Sequence, residues 1–116
     1  MSRAKQKGTA WETAIVTFLR DHRFHYADRV PLSGNKDRGD VTVGYGGPAI
    51  ESKNQNRLSW AEWLDEAKQE AVNAKAPFGV VWAKRRGKGS PRDGYVLMDG
   101  AAFVQLLIDA GYGDQP

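Results

Sequence analysis

The sequence predicts an α/β domain, a mixed β-sheet flanked by helices, and three observations carry that prediction. Apolar residues recur at helical spacing over 11–19 and 60–74, β-branched residues flank Gly46-Gly47, and two apolar runs, 78–83 and 95–98, straddle a basic, glycine-bearing stretch. With 116 residues and 41% hydrophobic content, the chain fits one domain, 1–116, with a core of its own. The absence of cysteine excludes disulfides, thiolate zinc sites and a cysteine nucleophile, so any metal must be held by oxygen or histidine. No apolar run approaches the roughly 18 residues of a membrane span, and the basic arm 1–7 has no apolar stretch behind it, which gives the expectation of a cytoplasmic protein with no membrane partner. A net charge of +3 and a pI near 9.3 suit a polyanionic partner.

Taken in order, the arm 1–7 leads to Thr9 as N-cap and Glu12 three residues on, a capping box that starts a first helix ending within 20–23. Trp11, Ile15, Phe18 and Leu19 form its apolar stripe. Glu12 has two readings, a cap or an acid supporting a site nearby. His22 and His25 lack helical spacing and are read as surface or DNA-facing residues rather than ligands. Phe24 to Pro31 is a strand, followed by a turn-rich loop over 32–39 in which Ser33, Lys36 and Arg38 offer a hydroxyl and two cations to a phosphate, or else form a solvated loop.

The next element is a β-hairpin. Its flanks, Asp40 to Tyr45 and Ala49 to Lys53, meet at Gly46-Gly47, which tolerates the positive φ of a tight turn. That turn pairs 43 with 50, 42 with 51 and 40 with 53. Alternation then puts Asp40, Glu51 and Lys53 on one open face and Val41, Val43 and Ile50 on the core face. Asp40 and Glu51 lie diagonally opposite, about 7 Å apart between backbones, and two carboxylates so placed suit one hard divalent cation. An ion there polarises a phosphodiester oxygen and lowers the pKa of water, while the Lys53 ammonium orients the water or steadies developing charge.

Gly39-Asp40, a ten-residue gap and Glu51-Ser52-Lys53 together resemble the signature of the PD-(D/E)xK nuclease superfamily. Within it the chain is most similar to archaeal-type Holliday junction resolvases, through Lys7-Gly8 and Glu12 in the first helix and Ser33-Gly34 before the aspartate, a likeness covering about 7–85. It departs from the pattern at Gly39, where the name has proline, and at Ser52, where an apolar residue is usual. The resemblance implies a restriction-endonuclease-like fold and a metal-dependent, structure-selective DNA endonuclease using Mg²⁺, with Mn²⁺ as a substitute. Asp40, Glu51, the Ser52 backbone carbonyl and, as a supporting acid, Glu12 would hold the metal; Lys53 would be the catalytic cation and Lys7 a DNA contact. It further implies a four-way DNA junction as substrate and a twofold homodimer to cut it, with Trp60, Trp63 or the helix holding Phe103 and Leu107 as candidates for the interface. Another nicking or repair nuclease of the superfamily, or a binding-only nucleic-acid module, are the alternatives.

Beyond the hairpin, Ser59 and Glu62 form a second capping box, opening a helix that runs to Lys75 before Pro77 stops it. Trp60, Trp63, Leu64, Ala67, Ala71 and Ala74 make its apolar stripe; Glu62, Asp65, Glu66, Lys68 and Glu70 are assigned to the solvated side. Gln69 is a weaker candidate for reaching the site. Phe78 to Ala83 and Tyr95 to Met98 are neighbouring strands. The tip between them, with Lys84, Arg85, Arg86, Lys88 and Arg92, is flexible and basic, and its spacing does not fit a phosphate-binding P-loop; it suits a nucleic-acid backbone or is merely solvated. Asp99 caps a last helix over 100–110, and 112–116 is a frayed tail.

Overall fold

The computed structural model describes residues 2–31, 34 and 36–115. The first helix, α1 (Arg3–Asp21), begins well before Thr9, because the Ser2 side chain accepts the Lys5 N–H and the good helix formers of 3–7 then continue the spiral. Residues 3–7 of the basic arm are therefore part of α1. The capping box at Thr9 and Glu12 is not formed: Thr9 sits inside the helix, its carbonyl accepting the Thr13 hydroxyl. At the other end Arg23 takes a positive φ of 80°, and the Phe24 N–H closes back on the Leu19 carbonyl. This extra turn shortens the strand expected over 24–31 to β1 (Asp28–Arg29).

β2 (Val41–Thr42) and β3 (Ala49–Lys53) form the predicted hairpin, but in a different register. Val41 pairs with Ile50, where a tight turn at Gly46-Gly47 predicts Val43. The cause is a wider connection: the Thr42 hydroxyl binds both the N–H and the carbonyl of Gly44, and Gly44 and Gly46 both adopt positive φ, so Val43 leaves the ladder. A shift of two residues keeps the side-chain parity. Val41 and Ile50 still face the core, while Asp40 lies alongside Glu51 instead of Lys53.

β3 returns to β4 (Gly79–Ala83) through α2 (Trp60–Ala74), and the two strands pair in parallel from Ala49 with Gly79 to Lys53 with Ala83. A parallel pair requires such a crossover. β5 (Tyr95–Leu97) pairs antiparallel with β4, giving a five-stranded mixed sheet in the order β1-β2-β3-β4-β5. The single mixed α/β sheet with helices packed on it is as predicted. The faces separate cleanly. Trp11, Ile15, Val16 and Leu19 of α1 pack on Val41, Ile50 and Val80, whereas Trp63 and Ala67 of α2 pack on Val81 and Ala83. α2 approaches so closely that a Cβ on Gly79 would lie 2.1 Å from the Ala67 carbonyl oxygen.

The remaining elements are local. α2 starts after Ser59, yet Ser59 makes no side-chain capping bond, so the second capping box is absent too. α3 (Gly100–Asp109) is capped as predicted, with the Asp99 carboxylate accepting the Ala102 N–H at 2.8 Å. Only Ala102 of α3 is buried; Phe103, Val104 and Ile108 are exposed. The basic tip between β4 and β5 contains an ordered 3-10 turn, Pro91–Asp93, with Pro91 buried and the Ser90 hydroxyl accepting the Arg92 N–H. Residues 112–115 carry no helix or strand. Among the described residues, no helix is long and apolar enough to cross a membrane.

Candidate metal centre

Alternation along β3 turns Ile50 toward α1 and Glu51 toward α2, so the face carrying Glu51 and Lys53 is covered by a helix rather than open. Glu51 is 5% exposed and Glu70, from the middle of α2, only 2%. Asp37, Glu51, Glu66 and Glu70 each bring one carboxylate oxygen within 4.8 Å of all the others. Lys53 borders the cluster, its Nζ 3.1 Å from Glu66 Oε1 and 3.4 Å from Glu51 Oε1.

Glu51 and Glu70 aim carboxylate oxygens inward. Glu51 Oε2 and both carboxylate oxygens of Glu70 are buried and accept no hydrogen bond among the described residues. Burial pushes the Glu51 carboxyl far above the ordinary carboxylate range, and the adjoining Glu70 and Asp40 push it the same way. Glu70 rises to about 7, chiefly through burial and with Asp37, Asp40 and Glu66 adding to it, against the opposing contact with Glu51. Burial works against the Lys53 ammonium, but Glu51 and Glu66 outweigh it and hold its pKa above the usual value.

The expected ligand set is thus only partly the observed cluster. Glu51 belongs to it. Asp40 stands beside it, with Oδ2 taken by the N–H and the hydroxyl of Ser52 at 2.9 and 3.0 Å. The contact seen for Ser52 is therefore through its donors. Glu12 is near enough to Asp40 for that charge, after burial, to raise its pKa, but its Oε2 binds Arg29 Nε at 2.9 Å. Gln69 is exposed and donates to Asn73.

Glu70 and Glu66, which composition assigns to the solvated side of α2, are thus members of the cluster, and so is Asp37, to which the motif gives no role. A signal exists for Glu70: it falls three residues after Ala67 and seven after Trp63, on the buried stripe itself. Gly39 explains Asp37. Its φ is +99°, a conformation closed to the proline of the superfamily name. The resulting turn sends the Gly39 N–H to Asp37 Oδ1. A Cβ at Gly39 would lie 3.2 Å from the Ile50 carbonyl oxygen and 3.5 Å from Glu70 Oε2.

Cations flank the cluster at both ends of α2. Beyond its C-terminus, Arg38 lines a depression with Ala74 and Lys75, and Lys36 is exposed; Ser33 lies outside the described residues. Before its N-terminus, Lys7, Lys84, Arg85 and Arg86 line a groove of about 530 Å³ together with Asn54, Gln55 and Asn56. Lys88 and Arg92 are exposed and do not line that groove, and His22 and His25 are exposed and distinct from the carboxylate cluster.

Comparison with known proteins gives no matching family model, curated protein or solved structure. The resemblance to PD-(D/E)xK nucleases therefore rests on the motif residues themselves, and the site's chemistry on its geometry.

Proposed function

We propose that this protein is a divalent-metal-dependent phosphodiester hydrolase acting on DNA. The observation that carries this reading is the set of orphaned oxygens, Glu51 Oε2 and Glu70 Oε1 and Oε2, buried beside Asp37 and Glu66. Burying carboxylates among like charges costs several kcal/mol unless something compensates, and an oxygen-only donor set of this density fits a hard cation such as Mg²⁺ or Mn²⁺. When bound, such an ion supplies the positive charge that activates water and polarises a phosphodiester.

The chain's own residues supply the rest. Lys53 stays protonated between Glu51 and Glu66 and offers N–H donors to a phosphate oxygen or to the attacking water. Asp40, fixed by Ser52, holds a further carboxylate beside the cluster. Glu12 is held by Arg29 at the border of the site, as a supporting acid. Arg38 and the Lys84–Arg86 groove lie at the two ends of α2 and are suited to the DNA backbone on either side of the scissile bond.

The finer reading is a Holliday junction resolvase of restriction-endonuclease-like architecture, working in the cytoplasm as a homodimer. It rests on the motif resemblance, and the exposed apolar face of α3 is its candidate interface; Trp63, another sequence candidate for that role, is core. Cleavage of linear duplex, flap and four-way junction with Mg²⁺ and with chelator tests both levels. Metal-dependent cutting is expected, with the junction preferred. No cutting of any substrate in Mg²⁺ or Mn²⁺ would refute the hydrolase and leave a binding-only module.

A further inference from the structure

A second cavity of about 530 Å³ adjoins the basic groove and shares Leu58 and Tyr95 with it; its other walls are Trp60, Val96 and Leu97. The two are opposites in chemistry. The groove carries Lys7, Lys84, Arg85 and Arg86 and no acid, while the cavity is apolar and partly open, with Leu58, Tyr95 and Val96 each more than 40% exposed. The aromatic rings continue inward: Tyr95 meets Trp60 edge-on at 5.9 Å, Trp60 meets Trp63 at 5.4 Å, and the Lys53 ammonium lies 5.8 Å from the Trp63 ring. On the outer side the Arg85 guanidinium sits 5.8 Å from the Tyr95 ring. A row of rings thus leads from the carboxylate cluster to the cationic groove.

We propose that the Leu58–Trp60–Tyr95 shelf is a subsite for an unpaired nucleotide, its base on the apolar wall and its phosphates against Lys84, Arg85 and Arg86. This rests on the reading that the partner is DNA, and deepens it by naming the form of DNA. Stacking on an exposed ring requires a base with a free π-face, which a fully paired helix does not present. An apolar cavity opening onto an acid-free cationic groove matches the two halves of a nucleotide, base and phosphate. The substrate class this selects is DNA with a single-stranded stretch next to the cleaved bond, such as a flap, a frayed end or an opened branch point.

The test is metal-free binding, followed by fluorescence anisotropy in EDTA, of a labelled ten-nucleotide oligothymidylate and of a blunt duplex of equal length. Tyr95→Ala is expected to weaken oligothymidylate binding about tenfold, the loss of roughly one stacked base, and to change duplex affinity by less than about twofold. Tyr95→Phe keeps the ring and should bind both like the unsubstituted chain. Should Tyr95→Ala fail to fold by circular dichroism, Leu58→Ala, on the exposed rim, takes its place with a smaller loss on the single strand alone. Equal losses on both probes, or no loss on oligothymidylate, would overturn the subsite. A chain that binds in this way but cuts nothing with Mg²⁺ keeps the subsite and loses the hydrolase; one that cuts without a ring-dependent preference does the reverse.

Discussion

The Ser52 hydroxyl donates to Oδ2 of Asp40 at 3.0 Å, onto the oxygen that also takes the Ser52 N–H. This bond turns the one unusual residue of the Glu-x-Lys motif into a clamp on the motif's aspartate. Ser52→Ala removes the hydroxyl and keeps the N–H. It should cost about 0.5–1.5 kcal/mol, as for a typical intramolecular hydrogen bond, and lower the melting temperature by several degrees. Denaturant unfolding at neutral pH measures it. An unchanged midpoint would mean that the backbone N–H alone holds Asp40.

Asp40→Asn and Lys53→Ala should each abolish metal-dependent cleavage while the fold survives. The amide introduced by Asp40→Asn retains an oxygen that can accept from Ser52, and truncating Lys53 leaves the parallel ladder of β3 and β4 intact. Circular dichroism and a cleavage assay read the two halves. Lys53→Ala has one further consequence: it strips the cluster of its neighbouring cation, so the metal-free variant should be less stable than the parent. Cutting by either variant would remove these residues from the site.

What is legible in the sequence is whatever depends on near neighbours or on parity. Asp99 can be recognised as a cap because its partner, the Ala102 N–H, is three residues away. The faces of β3 follow from alternation and survive the register shift, since that shift is even. Glu70 escapes because composition marks a glutamate as solvated, whereas its place in the stripe with Trp63 and Ala67 puts it inside. The Thr9 and Ser59 capping boxes fail for another reason. A favourable local pattern does not decide a helix start when Ser2 caps an earlier turn, or when the backbone at Ser59 (φ −128°, ψ 62°) lies outside the extended conformation of the Ser2 and Asp99 caps and its side chain makes no capping bond.

The buried acids predict a pH dependence with a definite sign. Glu70 has its folded pKa raised to about 7 and Glu51 is raised further, both from an ordinary value of 4.5. The neutral forms are favoured in the folded state, so this stability is present below about pH 4.5 and is lost as pH rises through the folded values. Metal-free protein should therefore become easier to unfold between about pH 5 and pH 8, as Glu70 titrates. Mg²⁺ requires the ionised carboxylates, so its stabilising effect should grow over the same range. Glu70→Gln should flatten the slope, raise metal-free stability near pH 8 by about 1–3 kcal/mol, and erase most of the Mg²⁺ effect. Thermal melts with and without Mg²⁺ at several pH values report all three. A Mg²⁺ shift that persists in Glu70→Gln would place the ion elsewhere.

The groove separates the cations of the basic tip into two groups. Lys84, Arg85 and Arg86 line it, whereas Lys88 and Arg92 do not. Replacing the first three with Ser should weaken duplex binding across sequences and reduce the slope of log affinity against log salt by about 2–3, near 0.9 per lost phosphate contact. Replacing Lys88 and Arg92 should change it by less than about 1. Titrations at several salt concentrations distinguish the groups. Slopes unchanged from the parent in both variants would mean that the whole tip is solvated.

The resolvase reading predicts a dimer. In that reading the one carboxylate cluster found among the described residues of each chain would cut one strand, and resolving a junction takes two cuts related by its twofold axis, which an isologous pair of chains supplies. α3 offers the surface for it. Phe103, Val104 and Ile108 are each more than half exposed on a helix whose only buried residue is Ala102, and an apolar face of this kind has a reason to be covered. Phe103→Asp should leave α3 capped by Asp99 and the carboxylate cluster unchanged, while converting a dimer to a monomer in light scattering. The monomer should still nick a flap but lose symmetric, paired cutting of a four-way junction. If the unsubstituted chain is monomeric at micromolar concentration, or nicks the junction without twofold symmetry, the resolvase reading falls, and the hydrolase built on Glu51, Glu70 and Lys53 is unaffected.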